Sequence, residues 1–221
     1  MRTVAQPDLF AKQIAKNRSD EADHATGITA MRKEAEHCTR CPLYKNATQT
    51  VFGEGPRNAP VVFVGEQPGD QEDLAGKPFI GPAGKLFNKA LEEAGLDRSR
   101  AYVTNAVKHF KFEPRGKRRL HKRPNAGEIR ACRFWLDGEL AAIKPDLVVA
   151  LGATAAQALA LRAVPVMKMR GPFSFPQHKG FITVHPSSLL RAPDEESRHL
   201  AYRAFLKDLK RIGEMAPAIR A

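Results

Sequence analysis

The stretch "APVVFVGEQPGD", residues 59–70, joins a continuous apolar run to a glycine-rich polar turn. The run from Val61 to Val64 has no alternating polar residues, which is typical of a strand buried on both faces. The segments "AYVTNAV", "KPDLVVALG" and "GFITVH" have the same character, and helical patterns lie between them. This alternation predicts an α/β fold, a three-layer α/β/α sandwich with a central four-stranded, mostly parallel sheet.

Each predicted strand is followed by a polar or glycine-rich turn. In chain order these turns read "GEQPGD", "NAVKHF", "LGAT" and "HPSS". In open parallel sheets, ligands bind in the crevice beyond the carboxyl ends of the strands. The sequence therefore predicts that the four turns meet at one cleft and that this cleft is the functional site.

The length of the chain, 221 residues, suits one domain with a tail. Residues 1–30 are polar and are predicted to form a tail, while residues 31–221 are predicted to form a single domain, entered by a short helix from Ala30 to His37. No apolar run approaches the roughly 18 residues of a membrane span, and the N-terminus shows no secretory cleavage pattern. We therefore expect a cytoplasmic protein that does not contact membranes, and a monomer, because nothing in the sequence indicates an obligate dimer.

The net charge of +12 favours a polyanionic partner such as nucleic acid. The charge is concentrated in residues 108–123, where eight Lys or Arg residues stand against one acid, Glu113, and surround His121. On charge alone, an ordinary basic enzyme with a solvated loop remains an alternative. The question is whether the basic residues bring an anion to that histidine.

The three cysteines are Cys38, Cys41 and Cys132. An odd number in a chain without an export signal argues against a disulfide framework. The two-residue gap between Cys38 and Cys41 instead indicates a metal or redox role.

Five ordered motifs resemble the uracil-DNA glycosylase superfamily, and most closely its UdgX-type members, which are related to the family-four iron–sulfur enzymes. They read "GEQPGDQEDLAGKPFIGPAGKLF", "YVTNAVKHFKF", "GKRRLHK", "LGATAA" and "VHPSSLLR". The resemblance runs from about Cys38 to the last helix and leaves out the N-terminal segment. It implies the glycosylase fold and an enzyme that removes uracil from DNA, including single-stranded DNA.

By this resemblance, Phe79 stacks on uracil, Asn105 pairs with its polar edge and His185 stabilises the charge that develops on the leaving base. An amide both donates and accepts hydrogen bonds, so it can recognise an N–H and a carbonyl together. The glycine-rich turn is implied to approach the base and sugar through Gly65, Gln67 and Asp70. Taken alone, each of these residues also has an ordinary structural explanation.

His121 lies in "KRRLH", where the UdgX-type members carry "KRRIH". The resemblance implies that its imidazole attacks the sugar carbon and remains attached, which leaves a covalent protein–DNA crosslink. Glu66 is implied to orient or deprotonate this histidine, and Arg119 to help hold the loop. The residues expected to contact DNA are Lys117, Arg118, Arg119, Lys122 and Arg191. The alternative is a conventional multiple-turnover glycosylase in which His121 only binds DNA.

The resemblance also implies a [4Fe–4S] cluster bound by Cys38, Cys41, His109 and Cys132. His109 stands where the family-four enzymes carry a cysteine. On spacing alone, a Cys₃His zinc site is the alternative, because it is a common tetrahedral structural set. A third interpretation, a non-enzymatic basic module held by zinc, leaves Phe79 unexplained, together with Asn105 and His185.

Overall fold

The computed structural model describes residues 27–221. The predicted tail therefore lies mostly outside the described residues, and its last part, 27–30, begins the first helix, which starts earlier than the predicted Ala30. Within the described residues, no helix is both long and apolar enough to cross a membrane.

The helices and strands follow one another in the order expected of an α/β protein. They are α1 (27–35), β1 (Val61–Gly65), α2 (Asp70–Ala75), α3 (Pro82–Glu93), β2 (Ala101–Asn105), β3 (Phe112–Arg115), β4 (Arg118–His121), α4 (Ala126–Ile143), β5 (Leu147–Leu151), α5 (Ala153–Ala160), α6 (Val166–Met169), β6 (Gly171–Ser174), β7 (Lys179–Thr183), α7 (Pro186–Leu190) and α8 (Glu195–Met215). Short 3₁₀ helices cover Pro42–Lys45, Arg98–Arg100 and Pro217–Ile219.

The central sheet has the strand order β2-β1-β5-β7-β6. The first four of these strands are parallel, and they are the four that the apolar runs predict. The α/β fold with a mostly parallel sheet is thus confirmed, but the predicted strand count was wrong. Within residues 27–221 the sheet has a fifth strand, β6, which pairs antiparallel with β7 at the edge. Its sequence, "GPFS", does not predict a strand, because it begins with a glycine and a proline. Proline is nevertheless tolerated in sheets at edge strands, which is where β6 lies.

The sheet separates two cores, because successive side chains of a strand point to opposite faces. Val62 and Val64 face the core formed with α1, α4 and α5, which includes Trp135. Val61 and Phe63 face the core formed with α3, α7 and α8. This arrangement is the predicted three-layer sandwich.

The basic segment that was interpreted as a loop is a separate two-stranded hairpin, formed by β3 and β4. Arg115 pairs with Arg118, and Gly116 occupies the turn with φ of 59°. Glycine adopts such a positive φ without the strain that a side chain brings. At the base of the hairpin, the backbone N–H of Lys122 donates to the carbonyl of Lys111 at 2.9 Å. We call residues 111–122 the trapping hairpin, after the covalent step that the resemblance implies for His121.

Candidate functional site

A cavity of about 830 Å³ lies at the carboxyl ends of the parallel strands. The residues that line it come from the turns after β1, β2, β5 and β7, as the strand order predicts, and from the end of the trapping hairpin. The predicted site residues that share this cavity are Glu66, Gln67, Asp70, Phe79, Asn105, His121, His185 and Arg191. The predicted DNA contacts Lys117, Arg118, Arg119 and Lys122 do not line it.

Gly65, the last residue of β1, is small because two functional side chains occupy the space beside it. A Cβ atom there would lie 2.4 Å from Asn105 Oδ1 and 2.9 Å from Phe79 Cζ, both too close for unbonded atoms. The glycine therefore allows the amide and the aromatic ring to approach each other over the end of the strand. Its contribution is to the shape of the cavity.

The ring of Phe79 is fixed by an unusual backbone. Phe79 has φ of 57°, in the left-handed region that non-glycine residues rarely adopt. The carbonyl of Phe79 lies 1.9 Å from the position of a Cβ on Gly84, so only glycine fits at that point of α3. The ring packs 5.4 Å from that of Phe87 and 6.4 Å from that of His185, measured between centroids. These contacts hold an aromatic face at the cavity.

Asn105 is 2% exposed, and its Oδ1 atom finds no hydrogen-bond partner among residues 27–221. A buried amide oxygen without a partner is costly, roughly 1–3 kcal/mol, unless a ligand supplies a donor. The N–H of a pyrimidine ring is such a donor. The geometry therefore suits a base whose edge presents an N–H to this oxygen.

His185 precedes α7, and its ring is oriented by the first turn of that helix. Ser187 donates its backbone N–H to His185 Nδ1 at 3.1 Å, which makes Nδ1 an acceptor and places the ring proton on Nε2. Burial is the main cause that lowers the pKa of His185 to about 4, and the positive charge of the nearby Arg191 acts in the same direction. The imidazole is therefore neutral at pH 7, with Nε2–H as its donor.

Glu66 connects the glycine-rich turn to the trapping hairpin. Its Oε1 lies 3.3 Å from His121 Nε2, and its Oε2 accepts a hydrogen bond from the hydroxyl of Thr154. Arg123 Nε is 4.0 Å from Oε2 and 3.2 Å from the Thr154 hydroxyl. Thr154 and Arg123 were missed in the sequence because neither belongs to a chemical pattern with Glu66.

The pKa of His121 is below its ordinary value of 6.5. Burial lowers this pKa most, Glu66 partly opposes the effect, and the positive charge of Arg191 lowers it again. The imidazole is therefore mainly neutral at pH 7, the state in which a ring nitrogen is a nucleophile.

Gln67 lines the cavity, where its contact with uracil stays a prediction, and its side-chain amide makes contacts that the sequence did not predict. Gln67 Nε2 donates to the carbonyls of Lys111 at 3.1 Å and Lys122 at 3.2 Å, and its Oε1 accepts from the Lys111 backbone N–H at 3.2 Å. The amide thus bridges the two ends of the trapping hairpin. What it positions is the strand that carries His121.

Arg119 holds the trapping hairpin against α2. Its Nε lies 2.5 Å from Asp70 Oδ1 and its NH1 2.6 Å from Asp73 Oδ2, while the guanidinium packs near the rings of Phe110 and Phe112. Two carboxylates therefore match this charge. The pairing is the kind of contact by which Arg119 is expected to hold the loop, and its contact with DNA stays a prediction. The Asp70 carboxylate pairs with the arginine and also lines the cavity, so its contact with the substrate stays a prediction.

The other predicted DNA contacts lie outside the cavity or at its rim. Lys117 and Arg118 are exposed at the tip of the trapping hairpin. Lys122 pairs with Glu113 across the hairpin, and Arg191 lines the cavity. Exposed cations therefore lie both at the hairpin tip and at the cavity.

The three cysteines are free, buried thiols near the start of the described chain and in α4. Trp135 Nε1 donates to the sulfur of Cys38, and the Lys108 backbone N–H to the sulfur of Cys132, each at 3.1 Å. Burial is the main cause that raises the pKa of Cys132 to about 12; the neighbouring Cys41 and Cys38 act in the same direction, and Lys108 opposes them. The three sulfurs thus share one buried region.

His109 is buried, with Nε2 lying 2.9 Å from the Thr50 hydroxyl and with Nδ1 lacking a hydrogen-bond partner in the described part of the chain. Three thiols and an unpartnered imidazole nitrogen are donors that suit an iron–sulfur cluster or zinc. Among the described side chains, however, no group of three or more His, Cys, Asp and Glu is arranged to hold a metal ion.

Comparison with known proteins agrees with the fold. The sequence profile of the uracil DNA glycosylase superfamily matches residues 52–210. The chain is 39% identical to the Type-4 uracil-DNA glycosylase of Thermotoga maritima over 182 residues, which cover 81% of this chain and 89% of the relative. It is 33% identical to the Type-4 uracil-DNA glycosylase of Archaeoglobus fulgidus over 192 residues, 83% of this chain and 90% of the relative. The chain therefore belongs to the uracil-DNA glycosylase superfamily.

Proposed function

We propose that this protein removes uracil from DNA and that His121 then bonds covalently to the sugar left behind. The observation that carries the proposal is that one cavity brings together the Phe79 ring, the unpartnered Asn105 oxygen, the neutral His185 and the His121–Glu66 pair. The first three groups suit excision. The pair suits capture of the product.

Excision begins with uracil taken from a single strand or flipped out of a duplex into the cavity. Stacking on Phe79 contributes about 1–3 kcal/mol by the usual magnitude for a base on an aromatic ring. Asn105 Oδ1 accepts the uracil N–H. As the bond between C1′ and the base nitrogen breaks, negative charge develops on a uracil oxygen, and Nε2–H of His185 donates to it. A preorganised donor of this kind contributes about 10²- to 10³-fold in rate.

In a hydrolytic glycosylase, water attacks the sugar carbon C1′. In the proposed mechanism the imidazole of His121 takes the place of that water, and the sugar becomes attached to the protein. Glu66 faces one ring nitrogen of His121, so that nitrogen holds the imidazole proton and the other keeps its lone pair. The lone pair forms a bond to C1′, which has lost its electrons to the departing uracil. The imidazolium that results is stabilised by the Glu66 carboxylate, and uracil leaves with the electron pair of the broken bond.

Cys38, Cys41, His109 and Cys132 are the residues that would hold a [4Fe–4S] cluster, with zinc as the alternative. The cluster would tie the segment before β1 to α4 and take no part in the reaction of the base. Free cysteines in one buried region and the unpartnered Nδ1 of His109 support this assignment. Iron and sulfide in the purified protein, with an absorbance band near 400 nm, support the cluster; a colourless protein that contains zinc contradicts it.

DNA is held by the exposed cations around the cavity, with Lys117, Arg118 and Arg191 as phosphate contacts. Such contacts make binding depend on salt, with a slope of roughly −0.7 for each phosphate neutralised on a single strand. We expect single-stranded DNA to be a substrate, because no base pair has to be opened before the base enters the cavity.

One gel tests the proposal. The protein is incubated with a labelled single-stranded oligonucleotide containing one uracil, then heated in detergent, with an all-thymine oligonucleotide as control. A retarded band that appears only with uracil supports covalent capture, and His121→Ser should lose that band while still releasing uracil. Release of uracil by the parent protein without a band supports the conventional multiple-turnover enzyme. If neither release nor a band is seen, uracil excision itself is rejected.

A further inference from the structure

A lysine and a glutamate are buried together behind the cavity. The side chains of Lys108 and Glu139 are both 0% exposed, and Lys108 Nζ lies 2.6 Å from Glu139 Oε2. The same ammonium donates to the Thr104 hydroxyl at 2.6 Å and to the carbonyl of Asn105 at 2.8 Å. All three N–H donors of the lysine are therefore used, and one of them holds the main chain of the residue proposed to recognise uracil.

Both carboxylate oxygens of Glu139 also have hydrogen-bond partners. Its Oε1 accepts from the Gly53 backbone N–H and the Tyr102 hydroxyl, each at 2.9 Å, and the Thr104 hydroxyl donates to Oε2 at 2.9 Å. Removing two charges from water is expensive, so a buried ion pair usually contributes little more to stability than a pair of well-packed apolar residues. Its presence therefore calls for a reason other than stability.

That reason lies in the turn that follows β2. The backbone N–H of Ala106 donates to the Gly65 carbonyl at 2.9 Å, and the backbone N–H of Lys108 donates to the sulfur of Cys132 at 3.1 Å. Lys108 Nζ donates a third hydrogen bond in the same turn, to the carbonyl of Asn105. Asn105 Oδ1 has no partner of its own within residues 27–221, so the position of the amide depends on how firmly this backbone is held.

The position of the amide decides which base is accepted. Uracil presents an N–H beside a carbonyl, whereas cytosine presents an acceptor nitrogen beside an amino group. An amide that is free to rotate can pair with either edge, because its oxygen and nitrogen exchange places on rotation. Only an amide held in one orientation rejects cytosine.

We propose that Lys108, held by Glu139, is a positioning residue that orients Asn105 and thereby sets the preference for uracil over cytosine. This inference rests on the proposed excision of uracil and is independent of the covalent step at His121. It predicts that neutralising the pair changes base preference even where the fold is retained.

The test uses the double variant Lys108→Met/Glu139→Gln, because replacing only one partner would leave the other charge buried and unpaired. The control is Leu140→Ala, which opens a cavity in the same helix at a residue 2% exposed but removes none of the hydrogen bonds of the ion pair. Uracil and cytosine release are measured in single-turnover reactions. We expect the double variant to lose about 10- to 100-fold in uracil excision, the effect of one or two hydrogen bonds, and its uracil-to-cytosine ratio to fall. Leu140→Ala should lower the melting temperature and leave the ratio of uracil release to cytosine release unchanged.

Combination with Asn105→Ala separates positioning from a general loss of stability. If Lys108 acts through Asn105, the double variant causes no further loss of base preference when Asn105 is already alanine. An unchanged ratio in the folded double variant, or an additional loss in the Asn105→Ala background, overturns the inference.

A crystal structure of the double variant gives a readout that does not depend on activity. A displaced or rotated Asn105 amide supports the inference, and an amide in its original place contradicts it. Should the parent protein release no uracil, the proposed function fails, while this structural comparison still decides whether Lys108 positions Asn105.

Discussion

Arg119→Met tests whether the trapping hairpin must be held against α2 for the covalent step. The substitution removes the 2.5 Å contact with Asp70 and the 2.6 Å contact with Asp73, and it removes a cation that lies 5.4 and 5.1 Å from the ring centroids of Phe110 and Phe112. The methionine keeps much of the apolar length of the arginine side chain. What is lost is therefore the charge that anchors the hairpin.

The magnitude follows from the exposure of the two carboxylates. Asp70 is 51% exposed, so its ion pair contributes only about 0.5 kcal/mol. Asp73 is 0% exposed, and its charge-assisted hydrogen bond contributes about 1.5–3 kcal/mol. The aromatic contacts add about 0.5–1 kcal/mol. The Thr48 backbone N–H still donates to both Asp73 oxygens, which reduces the loss.

The total is roughly 2–4 kcal/mol in the free energy of holding the hairpin closed, which corresponds to a fall of roughly 30- to 700-fold in the ratio of closed to open hairpin. Since Phe79, Asn105 and His185 do not depend on the hairpin for their positions, excision should be largely retained. We expect crosslinking to slow by at least about 10-fold and uracil release by less than about 3-fold.

Both rates come from one time course on a uracil oligonucleotide. Denaturing gels separate the crosslinked band from the free strand, and alkali cleaves the abasic sites that remain unattached. The matched control is Arg115→Met, which removes the same charge from an exposed position on the same hairpin. Equal slowing of crosslinking by the two variants, or a parallel fall in excision and crosslinking with Arg119→Met, would refute the anchoring role.

Three further predictions address the cavity, the nucleophile and the cysteines. Gly65→Ala places a Cβ 2.4 Å from Asn105 Oδ1 and should lower single-turnover excision by about 100-fold; normal excision by a folded variant would show that this space is not needed. Crosslinking should be independent of pH above about 7 and fall as the pH drops through the lowered pKa of His121, because the protonated ring is no nucleophile. Since Glu66 raises that pKa, Glu66→Gln should move the fall to lower pH, and a move to higher pH would contradict the assignment. Cys132→Ser should lose iron and sulfide by chemical analysis and lower the melting temperature, whereas full retention of both would exclude Cys132 as a ligand.

Much of the fold could be predicted because its signal is local. Four continuous apolar runs identify the parallel strands, and the rule that ligands bind beyond their carboxyl ends locates the cavity. Asn105 and His185 lie there for that reason, whereas Phe79 reaches the cavity from the segment between α2 and α3. The edge strand β6 gave no such signal, because it is short, partly exposed and opened by glycine and proline.

The contacts that hold the site together could not be predicted, because they join residues far apart in the chain. Gln67 and Lys111 are 44 positions apart, Arg119 and Asp73 are 46, and Lys108 and Glu139 are 31. Residue types and spacing carry no information about which of many carboxylates an arginine or lysine meets. For this reason the sequence does not predict the bridge that Gln67 makes across the hairpin, and it predicts that Arg119 holds the loop without identifying Asp70 and Asp73 as its partners.

The trapping hairpin leaves and rejoins the fold at a single point, where the backbones of Lys111 and Lys122 are hydrogen-bonded and both are bridged by Gln67. It forms its own two-stranded sheet and contributes no strand to the central one. The hairpin can therefore be replaced without changing the central sheet. By the proposed mechanism, a short turn between these two lysines would leave the base pocket in place and open to water. Conversely, by the same mechanism, a glycosylase of this superfamily that uses water could form a covalent bond to DNA after acquiring three features. These are the hairpin with its histidine, a glutamine at the base of the hairpin, and two aspartates on the adjacent helix.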